Sequence, residues 1–333
     1  MQTGTQTFRI GPIEISLPVV LAPLAGYSDL AYRRLCRRMG CPYSTTEMIL
    51  DRCVSIRGRQ HIALTATADD DHPTAGQIVG NEPETMAVGA RRICEKGFDV
   101  IDLNFACPVN KALRRRRGGY LMGEPARVVE IVRAVVEVGK ELGRPVTLKV
   151  RQRNKTTDGE ENFWRIAQGA REAGAAAVTV HARSVEQKYS GPADWDFLRR
   201  VKEQFPGWVV IGSGDVLTPE SALAMVRQTG VDAAAVARGA LGNPWFFHQV
   251  RDLQAGRSPQ PPSLAEQRDV MYEHFAGAVE LYGPQKAPAI MRKWGIRYAR
   301  MHPQPKQVRM AFVAVKTPED WHDVLKRYYP RCD

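Results

Sequence analysis

Short apolar and β-branched runs recur along most of the chain, each the length of a strand, and each is followed by a longer stretch with a different period. The strand-like runs are Val19–Ala22, Tyr43–Thr46, Thr74–Val79, Val100–Asn104, Val146–Val150, Ala177–His181, Trp208–Gly212 and Ala233–Ala237. The intervening stretches Ser28–Met39, Glu82–Lys96, Pro125–Leu142, Glu160–Ala173, Asp194–Gln204 and Thr218–Thr229 read as helices. Pro125–Leu142 shows the helical spacing best, with Val128, Val129, Ile131, Val132, Val135 and Val136 clustering on one side. Asn81 stands where a cap for Glu82–Lys96 is expected. Thr218-Pro219-Glu220 combines a cap, a proline in the first turn and an acid, and Lys96-Gly97 and Ala173-Gly174 are stop signals.

Strands alternating with helices imply a parallel sheet, and eight is the number that closes a (β/α)8 barrel, a TIM barrel. An open doubly wound sheet is the competing arrangement. No GxGxxG follows the first strand, which disfavours a dinucleotide-binding start. The alternation ends near Leu253. The Gly/Pro/Ser-rich segment Gln254–Ser263 reads as a crossing or linker. Beyond it, Leu264–Leu281, Ala287–Met301 and Thr317–Tyr328 have helical patterning. The expected organisation is a barrel domain over residues 1–255 and an all-helical C-terminal domain over residues 260–333.

Composition narrows the class. The chain has 333 residues, 44% hydrophobic and 25% charged, so it is long enough for a large core and is not disordered as a whole. No run of 18 apolar residues is present and the N-terminus lacks an apolar signal core, so a cytoplasmic protein with no membrane segment is expected. Six cysteines with no CxxC pair suit a reduced compartment and give no metal site. Cys36, Cys41, Cys53 and Cys94 fall on helical or apolar segments and read as packing residues. The net charge of +11 favours a polyanionic partner. From Lys286 to Arg309 there are seven Lys/Arg and no Asp/Glu, with Trp294 and Tyr298 interleaved as suits stacking on RNA. Arg33, Arg34, Arg37 and Arg38 form a second basic cluster.

In a (β/α)8 barrel the working residues sit at the C-terminal ends of the strands. Here those ends carry Pro23-Leu24, Gln77, Asn104 and Cys107, Lys149, His181 and Arg183, Gly212-Ser213-Gly214-Asp215, and Arg238-Gly239. The last two loops belong to strands seven and eight, where glycine-lined backbone and a cation suit a phosphate. Cys107 precedes a proline at the same rim. A thiol of ordinary pKa, about 8.5, stays protonated at neutral pH and can donate a proton, or attack as a nucleophile if a base lowers its pKa.

These segments resemble the tRNA-dihydrouridine synthase family. The matching stretches are LAPLAGYSDLAYRRLCRRMG, TEMI, GQIVGNEPE, GFDVIDLNFACPVNK, PVTLKVR, VTVHARSVEQKYSGPADW, IGSGDV and ARGALGNPW, in the family's order from about residue 19 to 247. The resemblance implies an FMN-dependent oxidoreductase that reduces uridines of the tRNA D-loop with NADPH. It implies that Pro23, Leu24, Gln77, Lys149 and His181 meet the flavin. Gly212, Ser213, Gly214, Asp215, Arg238 and Gly239 would hold its phosphate, and Asn104 would lie beside substrate and flavin. Cys107 would be the catalytic acid, protonating C5 while reduced flavin N5 delivers hydride to C6. A basic helical domain would bind tRNA, so Arg292, Lys293 and Arg297, with Lys111, Arg114 and Arg183 nearer the site, are the expected substrate contacts. A monomer without a stable protein partner is expected. The chain departs from the family at Leu24 (usually Met), Leu113 (usually Asn), Arg117 (usually small), Ser213 (usually Asn) and Ala237 (usually Gly). The run Arg114–Arg117 beside Cys107 is unusual and suggests a phosphate grip. Competing functions are reduction of another RNA such as rRNA, an FMN-barrel reductase of a small molecule, and a catalytically inert RNA-binding module.

Overall fold

A computed structural model of the chain describes residues 7–54, 56, 59–155 and 158–330. The chain opens with an antiparallel hairpin, β1 (Phe8–Ile10) and β2 (Ile13–Ile15). It continues through β3 (Val19–Leu21), α1 (Leu30–Arg38), β4 (Ser44–Thr45), β5 (Ile49–Leu50), α2 (Arg59–Leu64), β6 (Thr74–Val79), α3 (Pro83–Glu95), β7 (Val100–Asn104), α4 (Asn110–Leu113) and α5 (Pro125–Leu142). Then come β8 (Val146–Arg151), α6 (Gly159–Ala173), β9 (Ala177–His181), α7 (Trp195–Gln204), β10 (Val209–Ser213), α8 (Pro219–Thr229), β11 (Ala233–Val236) and α9 (Phe246–Gln254). Four helices close the chain: α10 (Leu264–Tyr282), α11 (Ala287–Tyr298), α12 (Pro305–Ala314) and α13 (Pro318–Tyr328).

Strands β3, β4 and β6 to β11 pair in parallel into a closed ring, because β3 bonds β11 on one side and β4 on the other, and β4 bonds β6. This is the (β/α)8 barrel that the alternation predicts. The short β5 adds to the upper end of β6. Asp29 caps α1, Thr218 and Ser221 form a capping box on α8, and Gly143, Gly174 and Gly230 end their helices in the left-handed conformation. Asn81 does not cap α3. Glu82 takes that position with Pro83 at the first turn, and the Asn81 carbonyl accepts from Arg127 instead.

Strand alternation grades the barrel interior. Val19, Leu21, Ile101, Leu103, Leu148, Val150, Val178 and Val180 face the helices and join the main core. Val20, Ala75, Val100, Ala177, Ile211, Ala233 and Ala235 form a separate inner core with the hairpin residues Phe8, Ile10 and Ile15. The hairpin therefore seals the lower end of the barrel. Its alternation, Phe8, Ile10, then Ile13 and Ile15 about Gly11-Pro12, is readable in a segment the sequence analysis treats only as a polar N-terminus. One layer up, the inner face turns polar with Asp102, Thr147 and Gln77, and at the top it carries Asn104, Lys149, Arg151, His181 and Ser213.

The C-terminal helices share the barrel's main core. Trp294 and Tyr298 are fully buried, Trp294 lying 4.1 Å from the Tyr32 ring and T-shaped to His274, whose Nδ1 pairs with the Tyr298 hydroxyl at 2.8 Å. Stacking of these two aromatics on RNA is thereby excluded. Burial of large rings welds α11 to α1. The α1 arginines are similarly committed. Arg33 is buried in an ion pair with Asp71 at 2.6 Å, Arg37 bonds the Cys41 and Pro73 carbonyls, Arg34 pairs with Asp70, and Arg38 with Glu273. Of the expected basic cluster, Arg33 and Arg37 are internal bracing, while the side chains of Arg34 and Arg38 are exposed and ion-paired. Helix α12, absent from the expected elements, buries Val308 and Phe312 one turn apart. Cys36 and Cys41 are buried and Cys53, Cys94 and Cys107 half-buried, all free thiols; Cys332 lies outside the described residues. Among the described residues no helix is long and apolar enough to cross a membrane.

Candidate active site

The C-terminal ends of the barrel strands open into a cleft with a cavity of about 170 Å³. Of the residues expected at the site, it gathers Pro23, Leu24, Gln77, Asn104, Cys107, Lys149, His181, Ser213, Gly214, Asp215 and Arg238. Arg183, Lys111, Arg114, Arg292, Lys293 and Arg297 do not line it, nor do Gly212 and Gly239.

The deep wall is cationic and short of partners. Lys149 Nζ is buried without a hydrogen-bond partner among the described residues. Its ammonium is pulled down to about 8, first by burial and then by Arg151, with Asp102 opposing. Arg151, two residues on and on the same strand face, bonds the carbonyls of Ala106 (2.8 Å), Ser184 (2.8 Å) and Lys188 (3.0 Å) and so ties two rim loops together. Burial brings its guanidinium down to about 10, so it stays charged at neutral pH. His181 shares Nδ1 with Ser213 Oγ at 3.1 Å, and its Nε2 is buried without a partner among the described residues. Burial, then Lys149, Arg151, Arg183 and Arg238, push the ring down to about 2, which keeps it neutral.

Cys107 sits on the loop after β7. Burial raises its thiol above the usual range, with a backbone contact at Val109 and Arg151 opposing, so the group is a thiol at neutral pH. Its backbone N–H donates to Asn104 Oδ1 at 2.9 Å, as does that of Ala106 at 3.0 Å. Gly118 and Gly119 pack against this loop, and a Cβ at Gly118 would meet Cys107 Cβ at 2.9 Å.

The opposite end of the cleft is built from the β10 and β11 loops. Gly214 (φ 133°) and Asp215 (φ 57°) take left-handed backbone. Burial raises the Asp215 carboxyl, but bonds from Arg183 Nη2 (2.5 and 2.6 Å) and Ala193 N–H (2.7 Å) outweigh it and leave the group below its usual range. Arg183 is buried and also donates to the Gly191 carbonyl. Its Nε and Nη2 are committed to shaping this loop. A Cβ at Gly212 would strike Met225 Sδ at 2.7 Å, so that glycine serves strand-to-helix packing. A Cβ at Gly239 would meet the Val216 and Leu217 carbonyls at 2.8 Å, so it allows the two loops to touch. Arg238 is the accessible cation here, lying 5.1 Å above the Tyr189 ring.

The loop after β3 joins this cleft to a second one. Pro23, Leu24 and Ala25 line the first, while Tyr27 lines the second with Lys293, Arg297, Arg300, Lys306 and Arg309. Among the described residues no acidic side chain lines the second cleft. Lys293 lies 4.7 Å and Arg297 5.8 Å from the Tyr27 ring centre, and Lys293 Nζ also donates to the Gly26 carbonyl. Burial, then Arg297 and Arg309, lower the pKa of Arg300. Arg292 turns away from this cleft, with a buried Nε lacking a partner. Lys111 and Arg114 are exposed on and just after α4. Within the arginine run, Arg116 pairs with Glu124 at 2.6 Å and Arg117 reaches Asn81, while Arg114 and Arg115 make no ion pair among the described residues.

Sequence reasoning missed Arg151, Met48, Tyr189 and the buried Asp102. Arg151 and Asp102 were within reach, since each lies two positions from an expected residue, Lys149 or Asn104, and a strand puts such pairs on one face. Met48 and Tyr189 come from loops, which carry no such period.

The family model for dihydrouridine synthase (Dus) matches residues 20–331. A probable tRNA-dihydrouridine synthase of Rickettsia conorii is 34% identical over 96% of both chains. A tRNA-dihydrouridine synthase B of Xanthomonas campestris is 34% identical over 96% of this chain and 95% of its own. Among solved structures, morphinone reductase in complex with tetrahydroNAD matches with a TM-score of 0.53 at 16% identity over 77% of this chain and 92% of its own. Histamine dehydrogenase from Rhizobium sp. 4-9 gives a TM-score of 0.61 at 15% identity, and this chain spans 50% of its length. Those two likenesses concern the fold. The family match over nearly the whole length, and relatives a third identical from end to end, place the chain in the dihydrouridine synthase family of oxidoreductases.

Proposed function

We propose that this protein reduces uridines in the tRNA D-loop to 5,6-dihydrouridine, with FMN as its flavin and NADPH as the reductant. The barrel, residues 1–255, is the catalytic unit and residues 260–333 are the tRNA-facing unit. The observation that carries the reading is one cleft with a protonated thiol at its mouth, Cys107, and an unpartnered buried ammonium on its deep wall, Lys149.

The donor set suits FMN. Lys149 and the free Nε2 of His181 offer polar contacts to a flat ring that accumulates negative charge, and Gln77 and Asn104 offer amides beside them. Pro23 and Leu24 give an apolar wall. Ser213, Gly214, the Asp215 backbone and Arg238 offer the phosphate end, with Gly212 and Gly239 supporting it from behind. FMN, when bound, supplies hydride to C6 of the uracil after reduction by NADPH.

This chain's residues do the rest. Cys107 gives the Sγ proton to C5, so an S–H bond breaks as a C–H bond forms. The thiolate left behind lies in the field of Arg151, the charge that opposes the burial shift of the thiol. Asn104 Oδ1 holds the peptide that carries Cys107. The uracil must leave its stack to reach the cleft, as in base flipping.

The basic cleft beside Tyr27 is the place for the RNA backbone. Arg300→Ala and Lys306→Ala are each expected to lower the slope of log K against log salt for tRNA by about one unit. Filter binding across a salt series reads this, and an unchanged slope in both variants removes the cleft from the interface.

The test of the function is anaerobic flavin reoxidation. Enzyme reduced by NADPH is mixed with tRNA lacking dihydrouridine and, separately, with fully modified tRNA and with ribosomal RNA. Rapid reoxidation by the first alone is expected. Reoxidation by none of them, or only by ribosomal RNA, rejects tRNA as substrate.

A further inference from the structure

We infer that Asp102 is a positioning residue for Cys107, acting through two side-chain amides whose orientation it dictates. Asp102 is buried in the middle layer of the barrel, opposite Gln77 on one neighbouring strand and Thr147 on the other. A carboxylate only accepts hydrogen bonds. Thr147 Oγ1 donates to Oδ1 at 2.6 Å, and Gln77 Nε2 donates to Oδ2 at 2.7 Å. The amino group of Gln77 is thereby committed downward, and its Oε1 must face Asn104.

Asn104 Nδ2 donates to that oxygen at 2.7 Å. Asn104 Oδ1 is left to face the peptides that follow it, where it accepts from Ala106 and Cys107 N–H. Those peptide groups can only donate. Had Gln77 the opposite orientation, Asn104 would turn its own amino group onto two N–H donors. The chain of bonds therefore has one workable direction, and the acceptor at its buried end selects it. Buried polar chains of this kind are costly when any link is mismatched. The inner-face alternation supplies the members, since residues 102 and 104 share a face and Gln77 lies in register beside Asp102.

The importance of Cys107 comes from the proposed function. The bond chain itself is read by position and not by turnover, so the two can fail separately. In Asp102→Leu the acceptor is gone, so Gln77 Nε2 loses its partner and nothing at the buried end fixes the direction of the amide chain. Adding Gln77→Glu gives Asn104 Nδ2 an acceptor in either orientation and lets Asn104 keep its direction.

Hydrogen exchange of the Ala106 and Cys107 amides in the full chain is expected to rise about tenfold or more in Asp102→Leu. It should return to within about twofold of the unaltered chain in Asp102→Leu with Gln77→Glu. Thr147→Val, which removes the other donor to Asp102, should leave these amides unchanged. No rise in Asp102→Leu, or no recovery in the double variant, overturns the inference and leaves Asp102 a packing residue. Neutron diffraction on the unaltered protein needs no variant to fold. Deuterons on Gln77 Nε2 directed at Asp102 are expected there, and deuterons directed at Asn104 overturn the inference directly.

Discussion

Cys107→Ala is expected to slow flavin reoxidation by tRNA by about 10²–10⁴-fold, the range for loss of a positioned general acid. Flavin content and reduction by NADPH should stay near those of the unaltered enzyme, because the half-buried thiol sits on the loop after β7 and not among the buried polar atoms of Lys149 and His181. The pH dependence carries the same signature. Burial raises the thiol above its ordinary range, so the protonated donor persists through neutral pH. The tRNA-dependent rate should be flat there and fall in the alkaline range as Lys149, at about 8, and then the thiol lose their protons. Stopped-flow reoxidation from pH 6 to 10 reads both, and only the second loss should vanish in Cys107→Ala. A loss smaller than about tenfold in the alanine variant would assign the proton to another group. A variant that lost its flavin would show instead that Cys107 serves the fold of the cleft.

Lys149→Met is expected to stabilise the protein while it disables it. The ammonium is brought from 10.5 to about 8 by burial beside Arg151. At 1.36 kcal/mol per pKa unit, its charge costs up to about 3 kcal/mol. Because the folded value lies below the unfolded one, that cost is present in full below about pH 8 and fades as pH rises toward 10.5. The gain on substitution should follow the same course, reduced by whatever counter-charge Lys149 lends Asp102. Denaturant unfolding of the flavin-free chain at pH 7 and pH 10 measures it. The tRNA-dependent rate should fall about 10²–10³-fold, as when one preorganised electrostatic contact is removed. A less stable variant at pH 7 would mean that the ammonium has a partner in the folded chain, and its proposed role toward the flavin would lose its basis. Keeping a buried charge against stability is a trade expected at a functional site.

Much of the barrel was legible in the sequence because strands and helices announce themselves over short range. All eight barrel strands fall within one or two residues of the apolar runs, and the proline and glycine signals fix most helix ends. The cleft was legible for a related reason. A strand's C-terminal end is a local feature, and Gln77, Asn104, Lys149, His181 and Ser213 need only the period of two to share one face. The hairpin Phe8–Ile15 had the same alternation but packs under a barrel formed much later in the chain, so nothing nearby marks what it covers.

What the sequence alone could not decide was where each charge is spent. The segment with seven cations and two aromatics reads as one RNA-facing stripe, yet the helix turns Trp294 and Tyr298 into the core and leaves Lys293, Arg297 and Arg300 at a cleft. Arg33 and Arg183 look as available as Arg297, but Asp71 and Asp215, 38 and 32 residues away, pair with them. A charge is free or committed according to partners brought near by folding, because Coulomb attraction depends on distance in space and on burial. Local periodicity thus set the barrel and the identity of its inward residues. The tertiary structure alone set which of them keep an unpaired charge or an oriented amide for chemistry.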